Sequence, residues 1–317
     1  MKKIFVMVGV LVALAISSSA LASAVLIDVQ GKVKVTLPGK KSAPAVVGTE
    51  LPDGSVVDVG KKAKASVMLE SGAIDEIASG TKYKVGAKTK GTKRTDLGSG
   101  MALAMRELAA SGEEGPVVHG MVRRQRGPGR IPTLGLGGNR VNARYPTGTA
   151  IRLGPSVKFR WSQRPPVDWP RPVLVIDDEA KRHIAIRSLK RGAVEHTVSS
   201  AKSGLAKGKN YSWYLATRKG ELKGHTLRFE FRTLSSNDER NLDNKKARVM
   251  RLDMSNDGRQ FLLAQLNFEY GLYNDAAEIL EPMWKKQQAP FLRKFLYLCY
   301  ARMGRGEEAN RYRPPQP

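Results

Sequence analysis

Residues 25–35 read VLIDVQGKVKV, and residues 48–85 read GTELPDGSVVDVGKKAKASVMLESGAIDEIASGTKYKV. Short apolar runs alternate there with Gly, Asp and Ser turns, a pattern of strands rather than helices. Strand-sized pieces fall at Val25–Val29, Lys32–Leu37, Ser55–Val59, Ala65–Leu69 and Lys82–Val85. Gly31, Gly39, Pro52-Asp53-Gly54, Glu70-Ser71-Gly72 and Ser79-Gly80 separate them as turns. In Lys32-Val33-Lys34-Val35 the alternation sends valines to a core and lysines to water. Residues 25–97 are therefore expected to form a small all-β domain, with no position that has the look of a catalyst.

Upstream, residues 1–24 have the form of a signal peptide: Lys2 and Lys3, an apolar run from Ile4 to Ile16, then Ser17 to Ala24. Ala20-Leu21-Ala22 and Ala22-Ser23-Ala24 both supply small residues for cleavage. The apolar run is shorter than the ~20 residues a bilayer-spanning helix requires. The expectation is a mature chain exported to a bacterial periplasm or secreted, with no transmembrane segment after cleavage.

The order of features in the opening stretch resembles the FecR-type domain of bacterial envelope proteins. A G-x-V-x-V strand (Gly31, Val33, Val35) leads to a G-x-x-L-x-x-G turn (Gly48, Leu51, Gly54), a V-x-V strand (Val57, Val59) and the turn Leu69-Glu70-Ser71-Gly72. Ile74 and Ile77 then precede Ala78-Ser79-Gly80-Thr81. Members of that family are known as membrane-bound regulators of sigma factors, and this chain lacks their transmembrane helix and cytoplasmic tail. The resemblance therefore implies a periplasmic protein-binding β module and not the regulation.

The chain carries 54 Lys and Arg against 29 Asp and Glu, a formal charge of +25. Residues 151–234 hold 18 basic and 7 acidic side chains, the largest local excess at +11. Such a balance favours polyanionic partners and solubility, without defining a ligand. Residues 98–148 combine a helical run, MALAMRELAA, with a Gly/Arg-rich linker, VRRQRGPGRIPTLGLGGNR. Arg123, Arg124, Arg126 and Arg130 in that linker are its candidate polyanion contacts.

Alternation returns over 149–234. Val157, Phe159 and Trp161 interleave with Lys158 and Arg160; Tyr211, Trp213 and Leu215 with Ser212 and Tyr214; Leu227, Phe229 and Phe231 with Arg228 and Glu230. PVLVI at 172–176 and HIAI at 183–186 bracket an Asp177-Asp178-Glu179 turn. Five or more strands in so short a span predict a β-sandwich, with Trp161 and Trp213 in its core. The F-x-W opening, Leu205, Gly208, Tyr211, Trp213 and the closing F-x-F strand resemble the immunoglobulin-like or fibronectin-like domains that follow FecR-type modules.

Residues 235–317 turn helical. Ser255 or Asn256 is placed to cap a helix carrying Phe261, Leu262, Leu266 and Phe268, Asn274 to cap a second, and Pro290 to open a third. Asp238–Met254 is available for an additional helix. Gly271 recurs as Gly304, and Ala276 as Ala309, both at a spacing of 33. Ala264, Gly271, Tyr273, Ala276 and Leu280, with Gly304 and Ala309 in a second copy, resemble tetratricopeptide repeats. The second copy departs from the pattern at Tyr297 and Gly306. The resemblance implies a groove that binds peptides or partner proteins.

Chemistry is hard to find. His119, His183, His196 and His225 show no metal-ligand spacing. Carboxylate pairs at Asp177 and Asp178, Glu113 and Glu114, and Glu307 and Glu308 read as solvated turns or exposed helical faces. The single cysteine, Cys299, lies in an apolar helical run as a small hydrophobe. No cofactor is expected. The sum is a multidomain protein: all-β N-terminal module, β-sandwich middle domain, α-helical tetratricopeptide-like C-terminal region. Its expected role is a non-enzymatic scaffold or adaptor binding envelope proteins through the repeats. The alternative is a basic protein binding peptidoglycan, lipopolysaccharide or another polyanion, nucleic acid apart; an envelope hydrolase is a lesser alternative.

Overall fold

Alternating burial along the first strands divides them between two sheets. The strands are β1 (Ala24–Gln30), β2 (Val33–Thr36), β3 (Ala43–Pro44), β4 (Glu50–Leu51), β5 (Val56–Val59), β6 (Lys64–Leu69), β7 (Ala73–Ile77), β8 (Lys82–Lys84) and β9 (Thr92–Asp96). The first sheet runs β4-β1-β6-β7-β9 and the second β3-β2-β5-β8, with antiparallel neighbours throughout. Leu26, Val67 and Ile77 of the first sheet close on Val33, Val35, Val57, Val59 and Tyr83 of the second. The computed structural model describes residues 24–87, 92–96, 140–164, 171–219, 221–224 and 227–314. Ala24, assigned by its sequence to the leader, is a fully buried strand residue paired with Leu51 and Leu69. The folded unit thus includes it.

Two further sheets follow. Their strands are β10 (Arg140–Tyr145), β11 (Thr149–Ile151), β12 (Ser156–Arg164), β13 (Pro172–Asp178), β14 (His183–Ser188), β15 (Glu195–Ser199), β16 (Asn210–Lys219), β17 (Glu221–Gly224) and β18 (Phe229–Thr233). A short helix, α1 (Ser200–Ser203), follows β15. The three-stranded sheet β10-β12-β15 faces the sheet β11-β18-β16-β13-β14, onto which β17 adds beside β16. Between them Phe159 and Trp161 pack against Trp213, with ring centroids 5.5 and 6.1 Å apart. Trp213 also donates its indole N–H to the Pro146 carbonyl at 2.6 Å, which satisfies the polar end of a fully buried ring.

The C-terminal region is helical: α2 (Ser236–Met250), α3 (Asn256–Glu269), α4 (Tyr273–Gln287), α5 (Pro290–Arg302) and α6 (Gly306–Arg311). Ser235 and Ser255 cap α2 and α3, accepting from the backbone N–H groups of Asp238 and Gly258 at 3.0 Å. Pro290 begins α5, where its missing N–H has no cost. No helix among the described residues is long and apolar enough to cross a membrane.

The helices pack in chain order, and their core is continuous with the first sheet. Val25, Ile27, Val47, Met68 and Ile74 share one buried cluster with Phe261, Phe291, Leu292 and Phe295. The first sheet is therefore buried on both faces, by the second sheet on one side and by helices on the other.

Candidate functional surfaces

The residues of the repeat signature serve packing and turns. Ala264, Ala276 and Ala309 are buried at helix–helix approaches. Gly271 and Gly304 end the turns after α3 and α5 with φ of 77° and 69°, a conformation in which a side chain is strained. Tyr273 lies half-buried with its ring centroid 5.0 Å from that of Phe268. Tyr297, in the place where Ala264 would recur, is half-buried beside the core.

The faces of α3 and α5 that a repeat array would offer to a partner are covered by the first sheet. At the closest point Gly258 lies on β1, and a Cβ there would sit 2.8 Å from the Ile27 carbonyl oxygen and 2.9 Å from Asp28 Oδ1. Buried Asp28 accepts the Ser255 N–H through Oδ1 at 3.0 Å, and Oδ2 accepts from Gln30 at 3.0 Å. Its negative charge lies at the positive end of α3. A Cβ at Gly48 would sit 3.2 Å from Leu292 Cγ and 3.3 Å from Ala289 Cβ, at the start of α5. Lys64–Asp253 and Lys294–Glu50 add ion pairs between module and helices.

Residues 147–150 dock on the turns at the other ends of the same helices. Thr149 Oγ1 is buried; it accepts the Tyr273 N–H at 3.1 Å and donates to the Gly271 carbonyl at 3.0 Å. The Gly271 carbonyl also accepts the Ala150 N–H at 2.8 Å. Asn274, expected from sequence to cap α4, is one residue inside the helix and donates its amide to Glu278. The acceptor at that helix end comes instead from Thr149. Gly148 is so close to α5 that a Cβ would fall 2.4 Å from the Arg302 carbonyl oxygen. Glu308, read from sequence as exposed, is buried and paired with Arg144 and Arg305. Burial, then the neighbouring charge of Arg144, lowers the Arg305 pKa, against the opposing influence of Tyr300 and Glu281.

Two polar clusters in the β units have matched charges. Asp75 accepts from Arg94 Nε and Nη2 at 2.7 and 2.8 Å and from the Tyr83 hydroxyl at 2.9 Å. Burial pushes the Asp75 carboxyl up, but these bonds and the Arg94 charge outweigh it and hold the pKa below the ordinary value. The acidic hairpin differs from a solvated turn. Asp177 is fully buried between His183, at 2.6 Å, and Arg228, while Asp178 pairs with Arg182.

Among the described residues no three His, Cys, Asp or Glu side chains converge to hold a metal ion. His196 is part-buried in β15, and burial followed by Arg187 lowers its pKa. Cys299 is buried, and its thiol pKa is raised by burial. Arg123, Arg124, Arg126 and Arg130 lie outside the described residues, as do MALAMRELAA, Glu113, Glu114, His119 and His225.

No family model matches the chain, and no curated protein matches it. Among solved structures it is similar to dimeric latent PorU from Porphyromonas gingivalis, at 11% identity and a TM-score of 0.24, over 65% of this chain and 16% of that one. It is also similar to the central fibronectin-III array of RIM-binding protein, at 15% identity and a TM-score of 0.17, over 68% of this chain and 57% of that one.

Proposed function

We propose that this protein is a non-enzymatic scaffold of the bacterial periplasm that binds envelope proteins. In this reading a FecR-like module and an immunoglobulin-like or fibronectin-like sandwich are held in fixed relation by tetratricopeptide-like helices. The observation that carries it is the double docking of those helices. Asp28 holds the start of α3 from one β unit, and Thr149 holds the start of α4 from the other. Buried hydrogen bonds of this kind are expensive to leave unmade, so the two β units keep one relative placement. Fixed placement is what a scaffold needs and what independent modules on a linker lack.

With the inner faces of α3 and α5 covered, a partner meets the outward sides of the helices. Pro282 and Lys285 on α4, and Glu307 and Asn310 on α6, are exposed there. The test is a photoreactive residue placed at position 285 or 307 in intact cells, alongside fractionation for the processed chain. The expected result is one discrete protein adduct in the periplasmic fraction. No adduct from either position, or an unprocessed cytoplasmic chain, overturns the reading.

A further inference from the structure

The second sheet has one face in the core and one in water, and the wet face is a lysine array. Lys34 on β2 and Lys82 and Lys84 on β8 point outward between the buried Val33, Val35 and Tyr83. Lys32 precedes β2, and Lys61 and Lys62 form the turn after β5; all six lysines are exposed. Among the described residues none of the six is in an ion pair to a carboxylate. Among the described residues the one carboxylate on the outward face of these strands is Asp58, directly opposite Lys34 on one side and Lys82 on the other. Asp53 stands in the turn at the Lys84 end, next to Gly86.

From this array we infer a docking face for an anionic lipid bilayer. This face lies beyond the scaffold reading, on the side of the first module away from the helices. Three features select the partner. The face is the broad side of a sheet and not a groove, so it complements a plane of charge better than a single strand of polymer. Among the described residues it has no exposed aromatic ring, which single-stranded nucleic acid uses for stacking. Its cations are all lysines, compact point charges without the fork by which arginine selects one phosphate or carboxylate. Neighbouring strands are about 4.8 Å apart, so Lys34 and Lys82 stand about 10 Å from each other across Asp58. Docked this way, the lysines lie within the ~8 Å Debye length of headgroup charge at physiological salt, and α4 and α6 face away from the membrane.

Each lysine near an anionic surface contributes about 1 kcal/mol, or about fivefold in binding. The experiment is co-sedimentation of the mature chain with phosphatidylcholine vesicles, with and without phosphatidylglycerol, at low and high salt. The expected result is binding only to phosphatidylglycerol vesicles, released by salt. The triple substitution Lys34→Gln, Lys82→Gln, Lys84→Gln is expected to weaken it about a hundredfold, and Lys190→Gln, at an exposed position between β14 and β15, to leave it unchanged. Asp58→Asn, which removes the opposing charge, is expected to strengthen it about fivefold. Equal binding to both vesicle types, an unaffected triple variant, or no gain from Asp58→Asn overturns the proposal. So does retention of soluble dextran sulfate with no retention of vesicles.

Discussion

Replacing Gly258 by Ala sets two physical effects against each other at the seam between the first sheet and α3. Helix propensity favours alanine, by up to about 1 kcal/mol in a helix interior. Close approach opposes it: the new methyl meets the Ile27 carbonyl oxygen at 2.8 Å, Asp28 Oδ1 at 2.9 Å and Asp28 Cβ at 3.0 Å. Two of these atoms belong to a side chain locked by its own hydrogen bonds and one is backbone, so relief requires α3 to lift from β1. Overpacking of this kind costs about 1–3 kcal/mol. Lifting also stretches the 3.0 Å bond from Ser255 N–H to Asp28, and a bond to a buried carboxylate contributes about 1.5–3 kcal/mol. Repulsion wins, with a net loss of about 2 kcal/mol, or about 4–8 °C in Tm. Gly306→Ala is the control, because a Cβ there meets nothing within 4 Å and the residue begins α6. The assay is thermal unfolding of both variants followed by circular dichroism. Gly306→Ala is expected to match or exceed the parent. A rise in Tm for Gly258→Ala would mean that propensity governs both sites and that α3 does not rest on β1.

Thr149→Val strands the Tyr273 N–H and is expected to cost about 1–3 kcal/mol in urea unfolding, whereas Thr149→Ser keeps the acceptor and stays close to the parent. Asp75 has its pKa held below 3.8 in the folded chain, so its contribution to stability is present above that value and is lost as pH falls through the folded pKa. Asp75→Asn should flatten the acid limb of the Tm profile below about pH 5; an unchanged slope there would remove Asp75 as a source of acid sensitivity. Ending the chain at Leu234 uncovers Val25, Ile27, Met68 and Ile74, and the shortened protein is expected to bind hydrophobic dye and associate on size-exclusion chromatography. A monomeric, dye-silent product would show that the first sheet does not depend on the helices for cover.

Strands with one wet face were legible in the sequence. Val33 and Val35 between lysines, and Phe159 and Trp161 between Lys158 and Arg160, announce a strand and say which way it faces. Ser255 and Pro290 likewise mark helix starts, because their effect is local. β1 is different: Ala24 to Asp28 is buried without alternation, and a run buried on both faces gives no sign of what covers the second face. β7 was hidden for another reason. Its Asp75 looks like a turn residue until Arg94, nineteen positions later, is brought opposite it on β9.

The failures of local reading gather where the parts of the chain meet. Tyr273 is capped by an oxygen 124 positions away, and the Ser255 N–H finds its acceptor 227 positions away. The N-cap position of α4 holds Leu272, which has no side-chain acceptor, so Asn274 was the natural but incorrect local choice. The same logic applies to glycine. Gly258 has no special φ, and its need for glycine comes only from the Ile27 and Asp28 atoms above it. Gly54 has a φ of 81° and open space around it, so its need comes only from the turn it makes. Sequence pattern registers the second kind of constraint and is blind to the first. A missing cap or an unexplained helical glycine therefore marks a joint between units, and here the first falls where Thr149 meets α4 and the second where β1 meets α3.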